Sequence, residues 1–195
     1  LNGLAIDVNE NFYIGGTFKD TVDFDPDMPY NPQVSLVPNA YSFFILKLNN
    51  SGQFEWGKIT NIPSCQTITA DNFGHLFIGG AFSGIVDFDP SPNVYNVSTL
   101  SYAAYVLKLD TNGNFMWVKK IGGVNAPLEV DMVYDIKCNA QGDIALCGEF
   151  AGLEDFNPNA GIYLLGPGNL FGSNNAFYMQ LDNNGNFKWA AAIGD

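Results

Sequence analysis

The chain has 195 residues, ample for a sizeable core, and 47% of them are hydrophobic against 14% charged, which excludes a disordered chain. Its 16 Phe, 9 Tyr, 21 Gly and 10 Pro, with no long stretch of apolar residues at helical spacing, point to short strands joined by tight turns. A formal net charge of −12, from 8 Lys+Arg and 20 Asp+Glu, repels phosphate backbones and anionic lipid, which argues against nucleic-acid and membrane-surface partners.

Along the chain, the same elements are met three times in the same order. Residues around Leu4 and Ile6 alternate as a first strand, and Asp7-Val8-Asn9-Glu10 forms a tight turn whose aspartate caps its own backbone. Phe12–Phe18 (FYIGGTF) reads as a second strand, followed by VDFDP at Val22–Pro26. Ile45–Trp56 (ILKLNNSGQFEW) reads as a third and a fourth strand closed by a turn ending in Gly52, the type I turn with a glycine bulge.

The second copy opens at Ile68 and Ala70, turns at Asp71-Asn72-Phe73-Gly74, and continues as LFIGGAF at Leu76–Phe82, VDFDP at Val86–Pro90 and VLKLDTNGNFMW at Val106–Trp117. The third opens at Ile136 and Cys138, turns at Asn139-Ala140-Gln141-Gly142, and runs through IALCGEF at Ile144–Phe150, EDFNP at Glu154–Pro158 and MQLDNNGNFKW at Met179–Trp189. Copy one carries Glu10 where the other two carry glycine, which predicts some strain in that turn. The strand markers Phe12, Leu76 and Ile144 are 64 and 68 apart, whereas Trp56, Trp117 and Trp189 are 61 and 72 apart. The drift falls between DFDP and the last hairpin, so that connection is the variable loop.

Four antiparallel strands repeated about every 65 residues match one β-propeller blade per copy. The expectation is an all-β chain of three four-stranded antiparallel blades, at residues 1–61, 62–131 and 132–195, forming part of a larger ring. A sheet with two apolar faces must stack on neighbours, so further blades of the same chain or of other chains are expected partners. Trp56, Trp117 and Trp189 with Phe54, Phe115 and Phe187 are the candidates for that packing, and the Gly15-Gly16 and Gly79-Gly80 pairs would admit a close ring or backbone. The chain begins at Leu1, inside a repeat, which reads as an excerpt of a longer polypeptide.

The ordered set D-x-x-x-N-F-Y-I-G-G-x-F, V-D-F-D-P and L-K-L-D-x-N-G-N-F-x-W resembles the bacterial β-propeller repeats called SBBP repeats, and the likeness covers essentially the whole chain. The DFDP variety is similar to repeats in exported Bacteroidetes proteins. This resemblance implies a secreted or cell-surface location and carries no shared enzymatic activity. The function expected is therefore a non-catalytic interaction or adhesion scaffold binding protein or glycan at its loop faces. The alternatives are a propeller of a polysaccharide-acting enzyme and a Ca²⁺-stabilised module.

The candidate metal ligands are Asp23, Asp25, Asp87, Asp89 and Asp155, with Asp27 and Asn157 beside them, because clustered carboxylates suit a hard cation. The competing reading is structural: one Asp caps the Asp-Pro turn while Phe24, Phe88 or Phe156 anchors it to the sheet. No other cofactor is expected. His75, the only histidine, fills a turn slot held by Asn11 and Asp143 elsewhere, which predicts a solvent-facing ring and no general base. No catalytic residue is nominated. Leu109–Asn114 and Leu181–Asn186 resemble the start of a Ca²⁺ loop, but the glutamate such a loop requires is missing, so both are read as turns. Cys65, Cys138 and Cys147 include no CxxC pair; Cys138 and Cys147 occupy packed slots of the repeat and are not opposed for a bridge. Asn49-Asn50-Ser51 and Asn96-Val97-Ser98 match the glycosylation pattern, and Tyr30, Tyr95, Tyr102, Tyr163 and Phe171 are loop aromatics that could stack on a sugar. No apolar run approaches the roughly 20 residues of a membrane-crossing helix.

Overall fold

The computed structural model describes residues 1–25, 42–123, 130–166 and 174–193. Among the described residues every regular element is a strand and every pairing of two strands is antiparallel, with one isolated parallel bridge between Tyr102 and Val130. Sheet 1 holds β1 (Gly3–Ile6), β2 (Phe12–Phe18), β3 (Ser42–Leu48) and β4 (Phe54–Thr60), in that spatial order. Sheet 2 holds β5 (Thr67–Ala70), β6 (Leu76–Asp87), β7 (Asn96–Leu109) and β8 (Phe115–Ile121), again in chain order. Sheet 3 holds β9 (Met132–Cys138), β10 (Ile144–Ala151), β13 (Asn174–Leu181) and β14 (Phe187–Ile193). A ribbon of β11 (Glu154–Asp155) and β12 (Leu164–Leu165) lies between β10 and β13 in the chain.

The local geometry follows from the turn chemistry. Asp7 Oδ1 accepts from the N–H groups of Asn9 and Asn11 at 2.8 and 3.0 Å, and Asp71 Oδ1 accepts from Phe73 and His75 at 2.9 Å each. Gly74 has φ +81°, and Glu10 is forced to φ +64° in the equivalent place, the strain its side chain predicts. The β3–β4, β7–β8 and β13–β14 hairpins each turn on a left-handed glycine, Gly52, Gly113 and Gly185, and further on shift register by one residue, at Glu55, Met116 and Lys188.

One expectation needs correction. The connection carrying VDFDP in sheet 2 is not a plain loop: β6 and β7 run on past a bulge at Phe82/Gly84, pairing Gly84–Asp87 with Asn96–Thr99. The motif therefore sits at the tip of a long hairpin. In sheet 3 the β11–β12 ribbon is the same extension.

Successive sheets stack through opposite faces. One cluster joins Tyr13, Phe43 and Ile45 of sheet 1 to Ile78, Tyr105 and Leu107 of sheet 2. A second joins Phe77, Ala104 and Val106 of sheet 2 to Ile136, Leu146 and Met179 of sheet 3. β1 lies against β5 and β5 against β9, so the first strands line up in succession. Across the latter pair Thr67 Oγ1 donates to Asp135 Oδ1 at 3.1 Å. We call the face that meets the preceding sheet leading and the other trailing. Among the described residues the succession does not close: the leading face of sheet 1 and the trailing face of sheet 3 meet no further sheet.

The second glycine of each pair explains the tight fit between strands. Gly16, Gly80 and Gly148 lie opposite Phe44, Tyr105 and Phe177. A Cβ on Gly80 would come within 2.5 Å of the Ser64 carbonyl and 3.2 Å of the Tyr105 ring, and on Gly148 it would collide with the Met132 carbonyl. Only a bare backbone fits there.

Candidate functional site: the hairpin tips

Each described tip is built on its DFDP-type motif. Asp87 Oδ1 accepts from the N–H of Asp89 at 3.1 Å and of Tyr95 at 2.8 Å, while Asp89 Oδ1 accepts from Ser91 N–H at 2.8 Å. Asp155 Oδ1 accepts from Asn157 and Tyr163 at 3.0 and 2.9 Å, and Asn157 Oδ1 from Asn159 at 3.0 Å. In copy one Asp23 Oδ1 accepts from Asp25 N–H at 3.0 Å, and Asp27 lies outside the described residues. These are consecutive Asx turns, which hold the backbone without help from regular structure.

The phenylalanine between the two acidic positions turns inward. Phe88 and Phe156 are fully buried. Phe88 meets Phe82 edge-on at 5.1 Å and Tyr105 at 5.0 Å; Phe156 meets Phe150 and Phe177 at 4.9 Å each. Phe24 packs on Phe18 and Phe44 at 5.5 and 4.4 Å in the same arrangement. Each tip is thus pinned to its sheet by three rings, whose preferred tilted contacts add to the burial of their area.

In the described tips the Ca²⁺ candidates Asp23, Asp87, Asp89 and Asp155 are each engaged in turn hydrogen bonds through one carboxylate oxygen. The carboxylate oxygens named above face backbone N–H donors, which present positive charge where a cation would need oxygen ligands. Among the described residues no three His, Cys, Asp or Glu side chains gather where one ion could touch them.

The tip of sheet 3 leans on sheet 2, where the Gly122 N–H donates to the Asp155 carbonyl at 3.2 Å. A shallow crevice opens there, lined by Tyr95, Lys120, Asp155, Asn157 and Asn159. Tyr95 and Tyr163 are half exposed and lie over Phe115 and Phe187 at 4.5 and 4.9 Å, and the Tyr163 hydroxyl donates to the Ala190 carbonyl at 3.0 Å. Both close their tips, and Tyr95 gives the crevice its aromatic edge. Tyr102 is also exposed; Tyr30 and Phe171 lie outside the described residues.

Several residues behave differently from their sequence reading. His75 is half-buried, not solvent-facing: its Nδ1 lies 2.9 Å from Asp71 Oδ2, where Asn11 Nδ2 meets Asp7 Oδ2 in copy one. The ring does the work of an asparagine amide in that turn. Cys147 is exposed instead of packed: among the described residues no further sheet lies on the trailing face of sheet 3. Cys65 and Cys138 are free thiols pushed up to about 12 by burial, which keeps them protonated.

Two buried lysines escaped sequence reading. Lys108 is 2% exposed; its Nζ donates to the Asn183 carbonyl of sheet 3 at 3.0 Å and to Asn183 Oδ1, and it lies 5.0 Å from the centre of the Phe77 ring. Burial pulls its pKa below the ordinary lysine value, against the pull of Asp71. Lys47, in the same slot of sheet 1, pairs with Glu55 at 2.8 Å. Alternation in ILKL and VLKL already places each lysine on the face of Ile45 or Val106, which was the available signal.

The sequence matches no known family model and no curated protein.

Proposed function

We propose that the three sheets are consecutive blades of a larger β-propeller of the SBBP type, acting as a non-catalytic scaffold on the outside of a bacterial cell. Its hairpin tips form the surface that a protein or glycan partner meets. The observation that carries this reading is the tip itself, built alike in sheets 2 and 3: two Asx turns, a buried phenylalanine and a closing tyrosine eight residues after the first aspartate. A rigid frame with changeable residues between its fixed points is the usual form of a loop-borne recognition surface. The aligned first strands and the stacking of sheets through opposite faces favour blades around an axis over a flat array.

The test is a binding screen of the intact chain against glycans and extracellular proteins, repeated with Lys120→Glu and Tyr95→Ala. Binding lost in both variants with the fold intact supports the reading. Polysaccharide turnover with no retained ligand overturns it.

A further inference from the structure

We infer that the crevice between sheet 2 and the tip of sheet 3 binds a glycan carrying an acidic sugar among neutral ones, with Lys120 meeting the carboxylate and Tyr95 the face of a sugar ring. This rests on the scaffold reading and names the ligand class of one of its surfaces.

The crevice has a volume of about 350 Å³, at the small end of the range for ligand sites. Its distinguishing group is a cation. The ion pairs among the described residues use Lys47, His75, Lys137 and Lys188, and Lys120 belongs to none of them. Its ammonium has no hydrogen-bond acceptor among the described residues either, although the chain carries 20 Asp+Glu against 8 Lys+Arg. The slot is not common to the repeat. Lys120 stands opposite Tyr105; opposite Phe44 and Phe177, the equivalents of Tyr105, stand Ile59 and Ala192.

The facing tip differs from its counterparts in a matching way. It reads D-F-N-P-N at Asp155–Asn159, where sheet 2 has D-F-D-P-S and sheet 1 has D-F-D-P-D. The carboxylates of Asp25 and Asp89 thus give way to the amide of Asn157 in the tip that borders Lys120. Asn157 and Asn159 use Oδ1 to accept from the N–H groups of Asn159 and Phe187 at 3.0 and 2.9 Å. Their Nδ2 groups have no acceptor among the described residues and are donors for a ligand oxygen. Tyr95 is 48% exposed and is already seated on Phe115 at 4.5 Å, so its ring is placed before a ligand arrives. A sugar offers an apolar ring face and a rim of hydroxyls, the complement of an aromatic edge beside amide donors. The ammonium adds the preference for an acidic sugar. The net charge of −12 opposes a dense polyanion, which favours an isolated acidic sugar in a neutral chain.

An NMR titration of the isotope-labelled chain tests this with two matched pairs: sialyllactose against lactose, and glucuronic-acid-substituted xylotriose against xylotriose. At least one acidic member should shift the amides of Gly122, Asn157 and Asn159 and bind about fivefold more tightly than its neutral partner, the worth of one exposed charge pair. Lys120→Gln should remove that preference and Lys120→Arg should keep it. Circular dichroism should match wild type in both, because the ammonium has no protein partner to lose. Salt at about 0.5 M should reduce the preference as Lys120→Gln does. Tyr95→Leu, which still covers Phe115, should weaken acidic and neutral members alike. No shift with any of these glycans, equal binding of acidic and neutral members, or a preference that survives Lys120→Gln overturns the inference. So does a glutamate-rich peptide that binds the same amides as tightly as the acidic glycan. A neutral glycan or a protein held at the tips irrespective of Lys120 overturns it too, and leaves the scaffold reading standing.

Discussion

Sheets 2 and 3 present the same backbone slots on their trailing faces, one under a neighbour and one in the open. In sheet 2 the slots hold Phe77, Gly79, Val106, Lys108 and Trp117; in sheet 3 they hold Ala145, Cys147, Tyr178, Gln180 and Trp189. Under the neighbour, Gly79 has no room: a Cβ there would lie 2.7 Å from Val133 and 2.9 Å from Ile136. In the open, the equivalent position carries an exposed cysteine. The lysine slot shows the same contrast. Lys108 reaches across the seam to Asn183, whereas Gln180 serves only Trp189 beside it. One backbone unit therefore accepts different residues according to what stands on it, and its energetics belong to the seam as much as to the sheet.

Substitutions at paired slots should separate the two environments. The largest contrast is expected on the leading faces: Ile68→Ala should cost about 3 kcal/mol, whereas Leu4→Ala, at the same slot of sheet 1, should stay within about 0.5 kcal/mol, measured by urea unfolding. On the trailing faces, Gly79→Cys copies the residue of sheet 3 into the covered slot and should cost about 2 kcal/mol by overpacking. The reverse exchange, Cys147→Gly, should move stability by no more than about 0.5 kcal/mol. Equal costs in the two sheets would break the comparison. Trp117→Phe removes the donor across the seam together with part of the ring packed on Phe77, and should cost about 1–2 kcal/mol, against a few tenths for Trp189→Phe.

The smallest contrast is in pH response. Burial works against the charge on Asp110 and Asp182, but hydrogen bonds from Asn114 and Asn112, and from Asn186 and Asn184, outweigh it and leave both carboxyls below the ordinary 3.8. A lowered folded-state pKa gives stability that is present above the unfolded value and lost as pH falls through the folded one. Sheet 1 has Asn49 in that turn and should not respond there. Asp110→Asn should therefore lower stability at neutral pH by about 0.5 kcal/mol and flatten part of the stability loss below about pH 4. An unchanged acid limb would remove these turns from the account.

What was legible in the sequence was local. The turns at Asp7, Asp71 and Asn139, the glycine bulges and the strands between them were readable because each depends on residues within a few positions. The extension of β6 and β7 was missed because D-F-D-P looks like a loop, although a tyrosine eight residues after Asp87 and Asp155 was a visible sign of the closed tip. Cys147 was misjudged because its slot was read from copies that have a neighbour on that side. The burial of Lys108 was not readable from its own segment, since its partner Asn183 lies 75 residues away in the next sheet.

The central claim is that each seam between sheets, more than any sheet alone, holds this chain together, and native-state hydrogen exchange tests it most directly. At concentrations where the chain is monomeric, the amides of β6 and β7, covered on both faces, should exchange most slowly, with sheets 1 and 3 opening at lower free energy. Slower exchange in β2 and β3 or in β10 and β13 than in β6 and β7 would contradict the account.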